Sequence, residues 1–448
     1  MIEKLFDLQA SGTTVRREIV AGCTTFMTLS YIIFVQPAIL SVTGMDSGAV
    51  MTATCIASAL AMILMAFLAN YPFALAPAMG HNVYFAFTVC GLASMGGFGY
   101  SWQQALGAVF IAGVLFILLS FVGLRQTVMN ILPVSLRNAI PVGIGLLIAL
   151  VGLEWAGIVK ASPATYVTLG DLKSAPALLS LFGLGLGLIA VLLVLNTNGA
   201  ILIGILVSTA IGLLTGMIKY QGVVSAPPSV APTFLKLQLN IFAEPKLLMA
   251  VAVFFFLDLF DTVGTLVGVG QQSGLMVDGK LPKARQALLS DAVATSTGAL
   301  LGTSTVTTYI ESASGISAGG RTGLTNIVTA LLMLLALFFH PLIKTVGAGY
   351  PIGENVFLYP VIAPALIIVG SMMLRNVTYI DWDDVTESIP AFLTMLMMPL
   401  TFSITEGIAF GFISHALLKL VKGKGRQIHW LIYFFAVLFI GRYIWLVG

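Results

Sequence analysis

Four acidic residues stand inside long apolar stretches of the sequence, where a charge is costly to keep. They are Asp258 and Asp261 in FLDLFDTVGTLVG, Asp291, and Glu311 in TTYIES. Asp258 and Asp261 are three residues apart and therefore share one face of a helix. An ionisable side chain at membrane depth costs a few kcal/mol or more and usually faces a cavity or a partner. Because Arg442 is the one basic residue in such a stretch, we expect these carboxyls to carry protons, or to bind a cation or N–H donors.

The four carboxyls differ in the role that the sequence indicates for them. A functional role is favoured for Asp261 and Glu311, whereas Asp258 and Asp291 could equally hydrogen-bond within the helix bundle. His81 could hydrogen-bond a solute, and a histidine satisfied by the backbone is an equal alternative.

Two irregular segments must position these groups. Residues 71–87 read YPFALAPAMGHNVYFAF, and Pro72, Pro77 and Gly80 interrupt what would otherwise be a continuous span. Proline removes a backbone donor and clashes with the preceding turn, so we predict extended chain over 73–77 and a helix only after Gly80.

The second segment, residues 302–320, reads GTSTVTTYIESASGISAGG. Its β-branched residues favour an extended run, and Ser312 and Ser314 suit the start of a helix. Irregular backbone at membrane depth is tolerated only where protein buries it or water lines it. Two such breaks in equivalent positions indicate one central binding site, where each half-helix start would present free N–H groups to carbonyls, ring nitrogens or anions.

The composition indicates a membrane protein. Hydrophobic residues make up 58% of the 448 residues and charged residues 9%, against roughly a quarter charged in soluble domains. Several apolar runs approach the length that crosses a hydrocarbon core about 30 Å thick: 19–40, 50–69, 105–122, 178–195, 201–217 and 327–339. The charged first eighteen residues do not resemble a cleavable signal peptide, so the first span is expected to direct insertion.

The distribution of positive charge predicts the orientation. With a cytoplasmic N-terminus and fourteen segments, 14 of the 21 Lys and Arg residues fall inside and 6 outside, as the positive-inside rule requires. A polar stretch at 220–245 is interpreted as an external linker between halves. Seven segments per half would make the second copy inverted, although chance glycine spacing could also explain the weak similarity between the halves.

Other functional classes lack their signatures. Cys23, Cys55 and Cys90 lie far apart without metal-ligand spacing and are expected to be packing residues. The sequence contains no HExxH, no GxSxG and no phosphate loop, so no enzyme, metal or cofactor is expected. No basic stripe indicates a nucleic-acid partner.

Longer motifs resemble a known family. The stretches GTTVRREIVAGCTTFMTLSYIIFVQPAIL, ALAPAMGHN, DLFDTVGTLVGV, GTSTVTTYIESASGISAGGRTGLT and TESIPAFLTMLMMPLTFSITEGIAFGFISHAL closely resemble the AzgA-like purine permeases. These form a branch of the nucleobase:cation symporter (nucleobase-ascorbate transporter-like) superfamily. The likeness covers nearly the whole chain and is greatest to bacterial adenine permeases.

The resemblance implies an all-α polytopic membrane protein with fourteen segments in a 7+7 inverted repeat and short strands in segments 3 and 10. It implies a core domain (about 19–123 plus 246–342) and a gate domain (about 134–219 plus 353–421) that often forms a homodimer. Along the chain we expect a cytoplasmic N-terminus at 1–18, a first repeat at 19–219, the linker at 220–245, a second repeat at 246–421, and a basic turn with a C-terminal apolar segment at 422–448.

The resemblance also implies a set of site residues. Asp261 and Glu311 match the acidic residues placed against the base and would also couple the proton. The other positions that match family lining residues, by side chain or backbone, are Asn82, Thr265, Val83, Tyr309 and Ile310. This sequence departs from its relatives at Ala78, His81 and Gln36, which weakens the choice among purines.

Together these features predict a multi-pass inner-membrane (plasma-membrane) transporter that imports purine nucleobases by proton symport with alternating, elevator-like access. Adenine is the expected substrate, and the proton takes the place of a cofactor. The alternatives are a hypoxanthine/guanine permease of the same branch, an anion carrier of the same fold, and a channel or membrane scaffold.

Overall fold

The computed structural model describes residues 2–92, 97–122, 133–162, 166–172, 176–240, 244–276, 281–347, 349–353 and 356–445, and most of them are helical. The helices of the first half are α1 (Ile2–Leu5), α2 (Val15–Leu29), α3 (Ile32–Ser41), α4 (Ser47–Leu68), α5 (Met79–Val83), α6 (Trp102–Val122), α7 (Val134–Trp155), α8 (Pro176–Val194) and α9 (Ala200–Leu214). Those of the second half are α10 (Pro245–Ser273), α11 (Ala284–Leu301), α12 (Ser312–Ser317), α13 (Gly323–Ala336), α14 (His340–Val346), α15 (Ala363–Met373), α16 (Val385–Thr401), α17 (Ile404–Val421) and α18 (Trp430–Trp445).

Short strands form antiparallel pairs within these residues. They are β1 (Leu75–Pro77) with β4 (Val306–Thr308), β2 (Val159–Ser162) with β3 (Tyr166–Leu169), and β5 (Tyr350–Gly353) with β6 (Val356–Leu358). The pair β1–β4 joins the two irregular segments, whereas the other two pairs are local hairpins.

Polar side chains begin several of the long helices. The side-chain oxygens of Thr14, Asp46, Asp384 and Ser403 accept hydrogen bonds from backbone N–H groups at the starts of α2, α4, α16 and α17. Such caps satisfy donors that a helix leaves unpaired. They explain why these helices begin at polar residues that interrupt a strongly apolar sequence.

The helices pack as two groups. In the first bundle, formed by helices within 15–122 and 245–346, α13 packs against α2 and α4, and α11 packs against α4 and α6. In the second bundle, formed within 134–214 and 363–421, α7 packs against α15 and α16, and α16 against α17. Small residues allow the closest approach there, since a Cβ added at Gly145 would lie 2.6 Å from the carbonyl oxygen of Gly370.

The chain between the two halves covers one end of the first bundle. The backbone N–H groups of Ser225, Leu235 and Gln238 donate to carbonyls near helix ends, at Phe338, Leu300 and Gln103 respectively. We call this end the linker side. The opposite end, where the Asn70 amide donates to the carbonyl of Phe6 over 3.0 Å, is the N-terminal side.

Seven segments among the described residues are long and apolar enough to cross a membrane: Val15–Ser41, Ser47–Leu68, Trp102–Ser120, Val134–Trp155, Pro245–Gly270, Gly323–Val346 and Ile404–Val421. Shorter apolar helices occur at Leu178–Val194, Ala200–Leu214, Val385–Thr401 and Trp430–Gly441. The chain is therefore a mostly helical, multi-pass membrane protein. The fourteen segments and their inverted repeat stay predictions.

Candidate functional site

The two irregular segments meet in the middle of the first bundle. Strand β1 pairs with β4 in the register Leu75↔Thr308, Ala76↔Thr307 and Pro77↔Val306. Helix α5 leaves this strand pair toward the linker side, and α12 leaves it toward the N-terminal side. Helix α5 begins at Met79, slightly before the start predicted after Gly80, because Gly80 fits inside its first turn.

Asp261 reaches this meeting point from α10. Asp261 as a whole residue is partly exposed, and Thr307 Oγ1 of β4 donates to Asp261 Oδ2 over 3.3 Å. Asp261 lines a small cavity of about 30 Å³ together with residues from both bundles, which are Gly80, His81, Leu257, Ile140, Pro141, Ile144 and Met373. Asp261 therefore lies on the first bundle and faces its boundary with the second.

Glu311 lies at the start of α12 and is held by a different partner. The hydroxyl of Tyr31, from the connection between α2 and α3, donates to Glu311 Oε1 over 2.8 Å. Tyr31 is 1% exposed, whereas Glu311 as a whole residue is half-buried. The Glu311 and Asp261 carboxyls are close enough to interact electrostatically.

Asn82 belongs to a fully buried polar network beside the site. Its amide nitrogen donates to Gln36 Oε1, and its amide oxygen accepts a hydrogen bond from Ser304 Oγ. Gln36 Nε2 in turn donates to Thr303 Oγ1 over 2.9 Å. In this structure the side chain of Asn82 therefore ties α3, α5 and the chain before β4 together.

The other four predicted residues differ in exposure. Thr265 lies one turn after Asp261 and is half-buried, and Val83 is buried in α5. Tyr309 is 6% exposed and its hydroxyl donates to the carbonyl of Pro77, which braces the strand pair. Ile310 is 60% exposed, so it is the predicted residue most open to a ligand that approaches Glu311.

Asp258 and Asp291 hydrogen-bond within the bundle. Asp291 accepts from Thr262 Oγ1 over 2.7 Å and from the backbone N–H of Thr308 over 2.9 Å. Asp258 accepts from Thr295 Oγ1 over 3.0 Å. Both carboxyls are fully buried. Of the two roles considered for them, the structure therefore favours hydrogen bonding that supports strand β4 and its neighbours.

The side chain of His81 is also buried and hydrogen-bonded within the protein. Its Nδ1 hydrogen-bonds Thr305 Oγ1, and the ring also hydrogen-bonds the backbone of Leu257. The side chain is 1% exposed. His81 lines the small cavity. Because its ring nitrogens already have protein partners, it forms part of the cavity wall.

The two bundles contact each other on the linker side of the site. Thr405 of α17 donates to the hydroxyl of Tyr84 over 3.2 Å, and Thr88 Oγ1 donates to the carbonyl of Phe402 over 3.4 Å. Phe402 joins α16 to α17 with a positive φ of 49°, a conformation that costs a non-glycine residue roughly 1 kcal/mol or more. These two hydrogen bonds link the first bundle to the second at this level.

A model of a permease family (Xan_ur_permease) matches residues 16–410 of the sequence. The chain belongs to this permease family. The match includes all seven predicted site residues and most of both bundles. Because the family is one of permeases, the chain is a transporter and not an enzyme.

Relatives match over nearly their whole lengths. A putative permease of Methanocaldococcus jannaschii is 50% identical and covers 100% of this chain and 99% of its own. The adenine permease AdeP of Escherichia coli is 44% identical (98% and 95%), and the guanine/hypoxanthine permease PbuG of Bacillus subtilis is 42% identical (99% and 100%). Permeases named for different purines are thus almost equally similar to this one.

Solved structures share the fold at much lower identity. The transmembrane domain of the cyanobacterial bicarbonate transporter BicA has a TM-score of 0.62 at 16% identity, over 88% of this chain and 97% of its own. The overall structure of SLC26A9 has a TM-score of 0.61 at 12% identity, over 90% and 66%. The similarity to these two structures shows the fold of the permease alone.

Two residues of the site were missed by the analysis of the sequence alone. Tyr31 holds Glu311, and Thr307 holds Asp261. The available signal for Tyr31 was its position in an otherwise apolar run, because a hydroxyl there needs a hydrogen-bond partner. Thr307 was seen only as a residue favouring a strand, because its partner lies 46 residues away.

Proposed function

We propose that the permease imports purine nucleobases, with adenine as its preferred substrate, by symport with protons. The observation that carries the proposal is the pair of carboxylates in a chain of this family: Glu311, held by Tyr31, and Asp261, which faces the boundary between the two bundles. A purine offers N–H donors to carboxylates, ring nitrogens to donors, and a flat face to apolar side chains. Glu311, Asp261 and the exposed Ile310 supply acceptors and an apolar surface.

Glu311 holds the base and Asp261 couples its binding to a proton. Glu311 has a fixed donor in Tyr31, which suits an acceptor kept in one orientation for the substrate. Asp261 has the longer contact, 3.3 Å to Thr307, and faces the boundary between the bundles. A carboxyl that takes up a proton on one side and releases it on the other can use the membrane potential, since each charge moved through 100 mV is worth about 2.3 kcal/mol.

The first bundle carries the substrate by sliding against the second in an elevator-like movement. The surface that the second bundle presents to Asp261 consists of Ile140, Pro141, Ile144 and Met373, which are apolar and form no directional bonds that would resist sliding. The polar contacts on the linker side, Tyr84–Thr405 and Thr88–Phe402, then hold one end state.

The permease acts in the cell (inner) membrane as a multi-pass protein, and we assign it a homodimer through the second bundle. The fold neighbours include a bicarbonate transporter, but an anion carrier would be expected to place a basic or neutral residue where Asp261 or Glu311 stands. A guanine/hypoxanthine substrate is the second candidate, because relatives with that name reach 42–43% identity against 44% for an adenine permease.

Uptake of radiolabelled adenine tests the proposal in cells that lack their own nucleobase carriers. Unlabelled adenine, hypoxanthine, guanine, uracil and sulfate serve as competitors, with and without a protonophore. Competition by adenine alone, abolished by the protonophore, supports adenine:proton symport, and competition by hypoxanthine or guanine moves the assignment to the second candidate. Unsaturable flux that survives the double variant Asp261→Asn, Glu311→Gln would instead indicate a channel.

A further inference from the structure

A large apolar cavity of the permease lies beside the polar site. It has a volume of about 770 Å³ and runs between α10 of the first bundle, α17 of the second and the C-terminal helix α18. We call it the α10–α18 groove. Representative lining residues are Leu248, Ala252 and Phe256 of α10, with Phe435, Leu438 and Gly441 of α18.

The lining of the groove selects against a nucleobase. Every described residue that lines it is apolar, glycine or proline, so a purine that entered would leave its N–H groups and ring nitrogens unpaired against these residues. A void of this size is also unfavourable, since atoms on its wall lose their dispersion contacts. An occupant must therefore be a flexible hydrocarbon.

The position and length of the groove identify the source of that hydrocarbon. Its wall on α10 runs from Pro245 to Leu257, which at 1.5 Å per residue is about 18 Å. Half of a hydrocarbon core about 30 Å thick is about 15 Å, the depth of one leaflet. Both α10 and α17 are membrane-crossing segments, so the groove lies at the depth of acyl chains.

The groove is exposed near the start of α10, and aromatic rings cross it farther along the helix. Leu248 and Leu438 are 50% and 40% exposed, which opens the outer part to the bilayer. At the inner end the ring of Phe435 contacts Phe256 of the first bundle and Phe412 of the second, with centroid distances of 4.9 and 6.0 Å. A chain can thus enter from the Pro245 end, on the linker side, and stop at these rings.

We propose that the α10–α18 groove binds one acyl chain of a membrane phospholipid from the leaflet on the linker side. The chain fills the gap between the first and second bundles. Leu257 and Ile140 line both this groove and the small cavity at Asp261. The bound chain therefore packs directly behind the wall of the polar site and seals it against the bilayer.

Photolabelling of the full-length permease in liposomes tests the site. The probe is a phosphatidylcholine with a diazirine at the middle of one acyl chain, present as a trace component, and labelled positions are mapped by mass spectrometry. We expect labelling of 248–257 and 434–441 to exceed by several-fold that of the freely exposed surface of α13 at Leu331 and Leu335. Labelling of the groove at or below the α13 level would overturn the proposal.

A variant that fills the groove sharpens the test. Ala252→Phe places a ring inside it, and Ala190→Phe makes the same change on the exposed surface of α8. We expect groove labelling to fall to the α13 level in Ala252→Phe and to be unchanged in Ala190→Phe. If groove labelling persists in an Ala252→Phe protein with unchanged α13 labelling, the acyl chain is not in the groove.

A cysteine variant that leaves the groove free of added bulk tests whether the groove holds hydrocarbon or water. Ala252→Cys, made after replacing Cys23, Cys55 and Cys90, is exposed to a membrane-impermeant maleimide. A chain-filled groove predicts no reaction above the cysteine-free background, because a thiolate does not form in hydrocarbon. Rapid modification would show a water-filled groove and would refute lipid binding, whatever the transport activity proves to be.

Discussion

The carboxylates of Glu311 and Asp261 have different partners, and this difference sets what each can do. Glu311 receives a short hydrogen bond from the buried hydroxyl of Tyr31, whereas Asp261 receives a longer one from Thr307. A bond from a fixed donor orients a carboxylate and supports its charged form. A carboxylate with a weaker contact at a boundary between bundles can exchange a proton at lower cost.

Removal of the Tyr31 hydroxyl tests the orienting role. Hydrogen bonds to charged groups are worth about 1.5–3 kcal/mol, so Tyr31→Phe is expected to raise the KM for purine by about tenfold or more, with a smaller change in maximal rate. Initial rates of uptake measure both. Tyr100→Phe is the matched control, since Tyr100 donates to the exposed Glu244 outside the site over 3.2 Å. Equal effects of the two variants would contradict the assignment.

Neutralisation of Asp261 tests the coupling role. Asp261→Asn is expected to retain exchange of labelled for unlabelled purine and to lose accumulation driven by a pH gradient, because an amide takes up no proton. Proteoliposomes with an imposed gradient measure both. Asp291→Asn provides the contrast: it weakens the acceptor for Thr262 and Thr308 and should lower the yield of folded protein. Accumulation by Asp261→Asn with unaltered pH dependence would refute the role.

Among the elements, α13 begins at a buried carboxylate contributed by α2. Glu18 accepts hydrogen bonds from the backbone N–H groups of Arg321 and Thr325 over 2.8 and 3.1 Å, and from Thr325 Oγ1 over 2.6 Å. A negative charge here also complements the positive end of the helix dipole. Glu18 thus connects the two halves of the chain on the N-terminal side.

Glu18→Gln is expected to destabilise the permease by about 1–3 kcal/mol, because an amide offers a single acceptor oxygen and no charge. The thermal unfolding midpoint of the purified protein measures the loss. Glu3→Gln, at an exposed position of α1, is the control and should leave the midpoint unchanged. A midpoint for Glu18→Gln equal to that of the control would show that the carboxylate does not stabilise α13.

Helix α16 begins at a second carboxylate, which titrates at the surface. The Lys422 ammonium, 2.8 Å away, and the Thr386 N–H and hydroxyl hold the pKa of Asp384 well below its ordinary value. A depressed folded-state pKa gives stability that is complete above the unfolded value, near 3.9, and is lost as pH falls through the folded value. Wild type should therefore exceed Asp384→Asn in thermal midpoint by a constant amount from pH 7 to about 5, and by progressively less below about pH 4. A difference that grew on acidification would contradict this sign.

The sequence predicted the features that depend on local chemistry. Prolines and β-branched residues marked both irregular segments, and strands β1 and β4 occur within them. The partners of the carboxylates could not be predicted, because Tyr31 and Glu311 are 280 residues apart and meet only through packing. For the same reason the buried network of Asn82 with Gln36 and Ser304 was not foreseen. The assignment of Asn82 to the substrate stays a prediction.

At the scale of the whole molecule, the hydrogen bonds of the pairs Tyr84–Thr405 and Thr88–Phe402 join the two bundles on the linker side. If transport requires the bundles to move, a covalent bridge there must stop it. In a protein without Cys23, Cys55 and Cys90, Tyr84→Cys with Thr405→Cys, bridged by a short reducible bifunctional thiol reagent, should reduce uptake to background. Reduction of the bridge should restore it.

A bridge within one bundle is the control. Thr394→Cys with Gly411→Cys joins α16 to α17 in the second bundle and should leave uptake intact when treated in the same way. Full transport by the bridged Tyr84/Thr405 protein would show that this contact does not open during the cycle.

The pairing of β1 with β4 also constrains how the chain is made. Leu75 and Thr308, which face each other in the strand pair, are separated by more than half of the sequence. An extended strand in hydrocarbon has backbone groups that only another strand or water can satisfy, at several kcal/mol for each unsatisfied group. During synthesis, β1 must therefore wait in the bilayer, incomplete, until the second half has been inserted. A ribosome that stopped after the first half would leave a membrane-bound fragment with unpaired backbone, a substrate for chaperones and intramembrane quality control rather than half of a transporter.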